Sequence, residues 1–238
     1  MFLYNLKQVI RDFVLKTGNP FKLANFSPQH KKLIDLGPYH QVLHIGANIG
    51  QEFSLYDFIK VKSIIWIEPD SRAYRKLKLK GFFYKNIQNF FIKEFISDKT
   101  GLMVDYYKFN KSGANSTFRP TESWLKTSKD KYVIELTTLN SITIEDALVR
   151  NDIEIKGDNN LLVIDVQGNE MSVLNGFNPL TLKKFRVIMC EFSQEQYENS
   201  VSPIDLKLKL ETLGFVETLA PIRRSDDAIF TRFDQMSK

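Results

Sequence analysis

Two glycines and a carboxylate in the first third of the chain could hold a ligand that carries a ribose. The run VLHIGANIGQE at residues 42–52 is a short apolar stretch followed by Gly46 and Gly50, and the apolar residues 63–67 end at Glu68. Glycine permits a tight turn or a close ligand approach because it has no Cβ. A carboxylate at the end of the neighbouring strand can accept hydrogen bonds from both ribose hydroxyls. The spacing therefore predicts a strand, a glycine turn and a helix that open a nucleotide-type α/β site.

The middle of the glycine run distinguishes two ligands that fit this outline, a dinucleotide and S-adenosylmethionine (SAM). A pyrophosphate-binding turn has the pattern G-x-G-x-x-G, in which the middle glycine lets the backbone reach the phosphates. This chain has Asn48 at that position. SAM carries no phosphate and does not need that approach. The run favours SAM, and a strand–helix turn with purely structural glycines is the alternative.

Three carboxylates form a second candidate cluster. Asp165 and Glu191 follow predicted strands at residues 161–164 and 186–190, and Glu170 lies about one helical turn beyond Asp165. Because parallel strands end at the same edge of a sheet, Asp165 and Glu191 should face one cleft. A carboxylate there could act as base or acceptor for a weakly acidic hydroxyl, and Asp165 is the first candidate. The alternative is that Asp165 caps the next helix and Glu170 favours its dipole. We expect no metal, because no histidine supports the cluster.

These residues must be positioned by alternating strands and helices. Strand and helix patterns alternate over the first third of the chain, which is typical of a parallel sheet covered on both faces. Further strands are predicted at residues 89–96, 102–109, 132–139, 215–219 and 228–233. Only about eight residues separate the last two, too few for a parallel crossover, so the last strand should be antiparallel. The sequence predicts an α/β fold.

Composition limits the class of protein. The chain has 238 residues, 43% of them hydrophobic and 26% charged, as in an ordinary globular domain. We expect neither a transmembrane helix nor a secretory signal peptide. Cys190 is the only cysteine, which excludes an intrachain disulfide and favours a cytoplasmic location. The net charge of +5 permits attraction to nucleic acid, anionic lipid or acidic glycan, although the lysines are spread along the whole chain.

The chain is predicted to consist of an amphipathic N-terminal helical extension, residues 1–40, and a domain of residues 41–238. Apolar side chains recur at helical spacing over residues 2–16, with basic residues elsewhere on the helix. We expect this helix to pack on the domain or on a second subunit, forming a homodimer. A peripheral membrane contact is the alternative.

The combined motifs resemble the FkbM family of SAM-dependent methyltransferases over nearly all of residues 41–233. The residues that carry the resemblance are HIGANIGQE at 44–52, WIEPD at 66–70, ISDKTG at 96–101, TLNSI at 138–142, VIDVQGNEMSVLNGF at 163–177 and CEFS at 190–193. It implies a Rossmann-like class I methyltransferase sheet of seven strands, mostly parallel with an antiparallel last strand and helices on both faces. It also implies methyl transfer to an oxygen. His44 stands where the family often has an acidic residue, and Val163 where it often has lysine.

The resemblance also implies a cofactor site. Glu68 would hold the ribose of SAM, and Asp98 would accept a hydrogen bond from the adenine amino group, with a turn-forming role as the alternative for Asp98. Gly46, Ala47, Asn48 and Gly50 would line the methionine end. The whole expected cofactor-binding set is His44, Gly46, Ala47, Asn48, Gly50, Glu52, Glu68, Pro69, Ser97, Asp98 and Asp165.

The polar segment at residues 110–131 is predicted to be an acceptor-site loop, with Asn115, Ser116, Arg119 and Trp124 as substrate contacts. Hydroxyl and amide groups suit sugar hydroxyls, and the Trp124 ring could cover a sugar face. With the substrate class that the resemblance implies, we expect O-methylation of a sugar hydroxyl in a glycan or glycolipid precursor. The alternatives are an RNA methyltransferase and a non-catalytic binding protein with the same fold. We expect no nucleic-acid partner, because no platform of aromatic and basic residues is evident in the sequence.

Overall fold

The computed structural model describes residues 26–110, 115–127, 133–192, 197–221 and 227–235. The amphipathic helix predicted at residues 2–16 lies outside these residues. The short helix that follows it in the predicted extension is present at Pro28–Leu36, where the Ser27 hydroxyl caps the N–H of His30 at 3.1 Å. Among the described helices, none combines the length and the apolar character needed to cross a bilayer.

The elements alternate through most of the chain. The strands are β1 (Gln41–Ile45), β2 (Ser63–Ile67), β3 (Gln88–Ile92), β4 (Phe95–Ile96), β5 (Met103–Phe109), β6 (Ile134–Ile142), β7 (Asn160–Ile164), β8 (Phe185–Glu191), β9 (Phe215–Leu219) and β10 (Asp227–Arg232). The helices are α1 (Pro28–Leu36), α2 (Phe53–Phe58), α3 (Ser71–Gly81), α4 (Glu122–Thr127), α5 (Ile144–Arg150), α6 (Glu170–Asn175), α7 (Pro179–Leu182) and α8 (Pro203–Thr212), followed by a 3-10 turn at Phe233–Gln235.

Seven strands form the main sheet, in the order β3-β2-β1-β7-β8-β10-β9. The strands β3, β2, β1, β7 and β8 run parallel, and β10 is antiparallel to both β8 and β9. The predicted seven-stranded, mostly parallel sheet with an antiparallel last strand is confirmed. The connection between β9 and β10 is too short for a crossover, as the sequence indicates.

Helices cover both faces of this sheet. All residues of β1 are buried, and successive side chains along it point to opposite faces. Leu43 and Ile45 pack with α5, α6 and α8 in one core cluster, whereas Val42 packs with α1, α2 and α3 in the other. The central strand is therefore apolar on both faces, as expected for a parallel sheet between two helix layers.

A second, three-stranded sheet has the order β4-β6-β5. The sequence predicts one strand over residues 89–96, and this is wrong: the main-sheet strand β3 ends at Ile92, and β4 pairs in parallel with β6 instead. The charged pair Lys93 and Glu94 separates the two strands. Ser97 therefore follows a strand of the small sheet rather than the edge of the main sheet.

Candidate functional site

A cavity opens where the carboxyl ends of the main-sheet strands meet, which is the edge at which open α/β sheets bind ligands. The space within it, counted together with the open solvent at its mouth, is about 580 Å³. Its walls come from the ends of β1, β2 and β7, the segment after β3, and β5 of the small sheet. The lining residues are Ile45, Gly46, Asn48, Ile67, Glu68, Pro69, Glu94, Phe95, Ile96, Tyr106, Asn115, Asp165, Val166 and Gln167.

The turn after β1 depends on glycine at position 46, because two backbone segments approach closely there. Gly46 has a φ of +86°, and a Cβ on it would lie 1.8 Å from the carbonyl oxygen of Asp165. The N–H groups of Gly46 and Ala47 both donate to the carbonyl oxygen of Ile67 at 3.0 Å. The turn is thereby fixed between the ends of β2 and β7.

The rest of the turn joins the cavity to α2. Asn48 lines the cavity and has a φ of +46°. A Cβ on Gly50 would lie 2.6 Å from the ring of Phe53, so glycine at this position lets α2 pack directly under the turn. Of the residues predicted to hold the methionine end of SAM, Gly46 and Asn48 line the cavity, whereas Ala47 and Gly50 lie behind its lining.

Glu68 joins the turn after β1 to the loop after β2. Its Oε2 accepts a hydrogen bond from the backbone N–H of Asn48 at 2.8 Å, and its Oε1 accepts one from the N–H of Asp70 at 2.7 Å. Only 5% of Glu68 is exposed, and burial raises its pKa to about 7. Each carboxylate oxygen has a second lone pair. Glu68 can therefore hold both loops and still accept hydrogen bonds from a ligand.

Gln167 bridges two of the predicted catalytic carboxylates. Its Nε2 donates to Oδ1 of Asp165 at 2.7 Å and to Oε2 of Glu191 at 2.6 Å, and its Oε1 accepts from the hydroxyl of Tyr197 at 2.9 Å. Burial raises the pKa of Asp165, and the hydrogen bonds with Glu191 and Gln167 oppose that rise. The arrangement is a carboxyl pair that can hold or release a proton.

Glu170 has a different place from Asp165. It lies in the first turn of α6, as predicted, but its Oε1 accepts from the backbone N–H groups of Val166 at 3.3 Å and Gly168 at 3.0 Å. Burial raises its pKa to about 7. Among the predicted catalytic carboxylates, Asp165 lines the cavity, Glu191 reaches it through Gln167, and Glu170 shapes the loop behind it. The backbone N–H groups of Val166 and Gly168 bind the Glu170 carboxylate, so this side chain points toward the loop and not into the cavity.

His44 and Glu52, which are predicted to contact the cofactor, lie beneath the glycine turn rather than in the cavity lining. The His44 ring stacks on Trp66 with centroids 5.4 Å apart, and its Nδ1 lies 3.0 Å from the hydroxyl of Tyr56. Oε2 of Glu52 lies 4.0 Å from the same nitrogen. Burial lowers the pKa of His44 to about 3 and raises that of Glu52 to about 7. His44 is therefore a neutral core residue, on the face of β1 that α2 covers.

Two residues at which the sequence departs from the family that it resembles, His44 and Val163, are direct neighbours. His44 of β1 is paired with Val163 of β7 in the parallel register. Both are buried, with 2% and 1% of their surfaces exposed. An acidic residue and a lysine at these positions could form an ion pair across the strands. Here both partners are neutral, so neither leaves an unpaired buried charge.

Ser97 and Asp98 also lie outside the cavity lining. The N–H of Ser97 donates to the carbonyl oxygen of Ile142 at 3.0 Å, and its hydroxyl donates to Oδ1 of Asp98 at 3.2 Å. Asp98 is exposed. The acidic residue that follows the main-sheet strand β3 and lines the cavity is Glu94. The sequence pattern does not reveal Glu94, because apolar residues continue on both sides of the charged pair at residues 93 and 94.

The described part of the predicted acceptor loop covers the carboxyl edge of the sheet. The hydroxyl of Ser116 donates to the carbonyl oxygen of Gln167 at 2.6 Å. Asn115 lines the cavity, and its Oδ1 accepts from the N–H of Phe109 at 2.8 Å. The loop is thus tied both to the segment after β7 and to β5.

The other two predicted acceptor contacts lie outside the cavity lining. Arg119 is exposed, and its carbonyl oxygen accepts from the N–H of Glu198 at 2.8 Å. Trp124 is half-buried, with its ring 5.8 Å from the ring of Phe109 and 6.3 Å from that of Tyr197. Trp124 thus packs against two aromatic rings and holds α4 on the domain. Tyr106 of β5, which has no distinguishing signal in the sequence, lines the cavity instead.

The cavity is negatively polarised. Its lining includes the carboxyl groups of Glu68, Glu94 and Asp165, and within the described residues it contains no lysine, arginine or histidine. SAM carries a positive sulfonium and offers hydroxyl and amine donors, and this donor and acceptor set fits it. In the part of the chain that the structure describes, no group of three His, Cys, Asp or Glu side chains could hold a metal ion.

Comparison with known proteins gives a family match and several structural neighbours. The model of the methyltransferase FkbM domain matches residues 44–217. The solved FkbM methyltransferase of Methylobacillus flagellatus KT is 14% identical, with a TM-score of 0.51, and the match covers 81% of this chain and 43% of that one. The present chain thus spans less than half of that protein's length. No curated protein matches the chain.

Two other neighbours were solved with a cofactor or its product. Magnesium protoporphyrin IX methyltransferase of Synechocystis, with bound SAM, is 11% identical with a TM-score of 0.42, over 95% of this chain and 96% of that one. TrmK of M. capricolum, in complex with S-adenosyl-homocysteine, is 10% identical with a TM-score of 0.45, over 87% of this chain and 69% of that one.

Proposed function

The chain belongs to the FkbM methyltransferase family, and from this premise we propose that it methylates a sugar hydroxyl in a glycan or glycolipid precursor. Family membership makes it a SAM-dependent methyltransferase. The proposal for the substrate class rests on one observation. Three carboxyl groups and three side-chain amides line the cavity, and its lining among the described residues contains no cation. Such a lining accepts hydrogen bonds from neutral hydroxyl groups and disfavours an anionic acceptor.

SAM supplies a methyl group on a positively charged sulfur. Glu68 would accept hydrogen bonds from the ribose hydroxyls, since both of its oxygens keep free lone pairs while they hold the two loops. Glu94 is placed to accept from a further donor of the cofactor or the acceptor, because it lines the same cavity after the adjacent strand. The negative lining as a whole would stabilise the sulfonium charge.

Asp165 would act on the acceptor. A sugar hydroxyl must lose its proton as its oxygen forms the new bond to carbon and the bond from carbon to sulfur breaks. Asp165 can take that proton, and burial, which raises the pKa of Asp165, makes it a stronger base than an exposed carboxylate. Gln167 holds Asp165 and Glu191 together, so the carboxyl pair needs little reorganisation when the proton arrives.

The polar loop supports a saccharide acceptor from the other side of the cavity. Asn115 contributes an amide to the lining, and Ser116 ties the loop to the backbone of Gln167. An RNA acceptor would bring phosphates to a site with three carboxyl groups, which raises the cost of binding. The geometry therefore favours the saccharide over RNA.

The test is the chemical nature of the methylated product. The full chain is incubated with methyl-labelled SAM and a pool of saccharide acceptors, and the product is treated with mild alkali. We expect an alkali-stable methyl ether on a sugar, and we expect its formation to be abolished by Asp165→Asn while SAM binding persists. Label released by alkali as a methyl ester, or label in RNA alone, would overturn the proposal.

A further inference from the structure

The outward face of α3 and the turn after it form a surface that is both basic and apolar. Over residues 71–86 the chain has six lysines and arginines and no aspartate or glutamate. On the same stretch, Leu79, Phe82 and Phe83 are 58%, 65% and 37% exposed. We define the basic apolar surface as Arg75, Lys78, Leu79, Phe82, Phe83 and Lys85, all of which are exposed.

Helical periodicity places these residues together. Ala73, Leu77 and Gly81 face the sheet and are buried. Positions 75, 78, 79 and 82 recur at intervals of three and four on the opposite side of the helix. An ordinary surface helix is polar on this side, so two large exposed apolar residues, Leu79 in the last turn and Phe82 directly after it, need a partner.

We propose that the basic apolar surface docks on an anionic lipid membrane. Lysine and arginine would approach lipid phosphates, while Leu79 and Phe82 would enter the boundary between headgroups and acyl chains. This combination of cations around exposed apolar side chains, without an acidic residue in the stretch, is complementary to such a membrane in both charge and polarity.

The ring geometry favours lipid over nucleic acid. A base-stacking platform needs open, flat aromatic faces. Here the Nζ of Lys85 lies 4.8 Å from the centroid of the Phe82 ring, and the rings of Phe82 and Phe83 are at 89° to each other. Leu79 is aliphatic and offers no stacking face. These side chains are better suited to insertion among acyl chains than to stacking on bases.

The surface is separate from the cavity. The helix begins just after Glu68 at the carboxyl edge of the sheet and runs about 16 Å toward the opposite edge, at 1.5 Å per residue. Phe82 and Lys85 lie beyond its far end, and none of the six residues lines the cavity. Docking through this surface would leave the cavity mouth accessible to an acceptor. Because no surface residue lines the cavity, docking would not depend on bound SAM.

Vesicle sedimentation of the full chain tests the proposal. Binding is compared on vesicles of phosphatidylcholine alone and on vesicles of phosphatidylcholine with phosphatidylglycerol. The apolar variant is Leu79→Ser with Phe82→Ser, and the charge variant is Lys78→Gln with Lys85→Gln. The matched control is Leu180→Ser with Ile204→Ser, which removes two side chains that are each 71% exposed on other helices. Melting temperature and SAM affinity verify that each variant is folded.

We expect binding only to the anionic vesicles, with about a tenfold or greater loss of partitioning in the apolar and charge variants and none in the control. Residues 2–16 are also predicted to be basic and amphipathic, so vesicle binding that persists in both surface variants would assign docking elsewhere and overturn the proposal. Equal binding to both vesicle types would overturn it as well. So would RNA binding that these variants abolish, in a protein that does not bind vesicles.

Discussion

Oε2 of Glu68 lies 2.8 Å from the backbone nitrogen of Asn48, so a side chain at the end of β2 fastens the turn after β1. The second oxygen of the same carboxylate fastens the loop that leads into α3. One buried group thus sets the shape of the cavity and also offers it free lone pairs. For this reason, removing the side chain would disturb both loops, whereas glutamine keeps an acceptor oxygen for one of them.

We expect Glu68→Gln to weaken SAM binding by at least about 1.5–3 kcal/mol, because a charge-assisted hydrogen bond is lost and the amide oxygen can accept from only one of the two loop N–H groups. Glu94→Gln should weaken binding of SAM or of the acceptor, since Glu94 lines the cavity. Asp98→Asn is the matched control, because Asp98 is exposed and outside the lining. Calorimetry measures each affinity. A loss confined to Asp98→Asn would return the adenine-binding role to that residue.

The ligand-free protein should become less stable as pH rises toward neutrality. Burial raises the pKa of Glu52, Glu68 and Glu170 from the ordinary value of 4.5 to about 7. The folded state then binds more protons than the unfolded state between these values, so this contribution is present below about pH 4.5 and is lost as pH rises through about 7. Urea unfolding at several pH values measures it. Glu170→Gln should show a shallower dependence than the natural chain, and identical slopes would contradict the account.

Gln167 is predicted to be a positioning residue for methyl transfer. Gln167→Met keeps the length of the side chain but removes the amide that bridges Asp165 and Glu191. We expect kcat to fall by about tenfold or more, with SAM affinity nearly unchanged and the pH profile of kcat shifted. Tyr197→Phe removes the hydroxyl that orients the amide, and it should have a smaller effect in the same direction. An unchanged pH profile in Gln167→Met would leave this residue with a purely structural role.

The pairing of His44 with Val163 predicts a coupled effect on stability. His44→Asp alone would bury a charge without a partner and should destabilise the fold by about 3–5 kcal/mol. Adding Val163→Lys supplies the opposite charge on the adjacent strand, so the double variant should be more stable than the sum of the single changes predicts. Denaturant unfolding of the four proteins gives the coupling energy. Additive effects would show that the two positions do not interact.

Features with a strong local signal were predictable from the sequence. The strand, turn and helix around Gly46, the short hairpin that makes β10 antiparallel, and the meeting of Asp165 with Glu191 all follow from chain distances and strand ends. The direction in which a side chain points was less predictable. His44 lies on a strand whose two faces are both buried, so apolar periodicity cannot show which face it occupies.

The small sheet was the main element that the sequence pattern did not predict. Its strands pair residues that are far apart in the chain, such as Phe95 with Ser141, and hydrophobic pattern does not specify strand partners. This pairing moves Ser97 and Asp98 out of the cavity lining and brings Glu94 and Tyr106 into it. Trp124 was selected for its isolation among polar residues, and its aromatic neighbours Phe109 and Tyr197 become close only in the fold.

The most direct test of the central claim is the initial rate of methyl transfer from labelled SAM to a saccharide pool and to an RNA pool, measured with one preparation at low and at physiological salt. A neutral acceptor in the negatively polarised cavity is held by hydrogen bonds and ring contacts, so its rate should change little with salt. Binding of RNA through its phosphates would release counterions and become weaker as salt increases. We predict robust transfer to a saccharide with weak salt dependence. Steeply salt-dependent transfer to RNA, with none to any saccharide, would contradict the account.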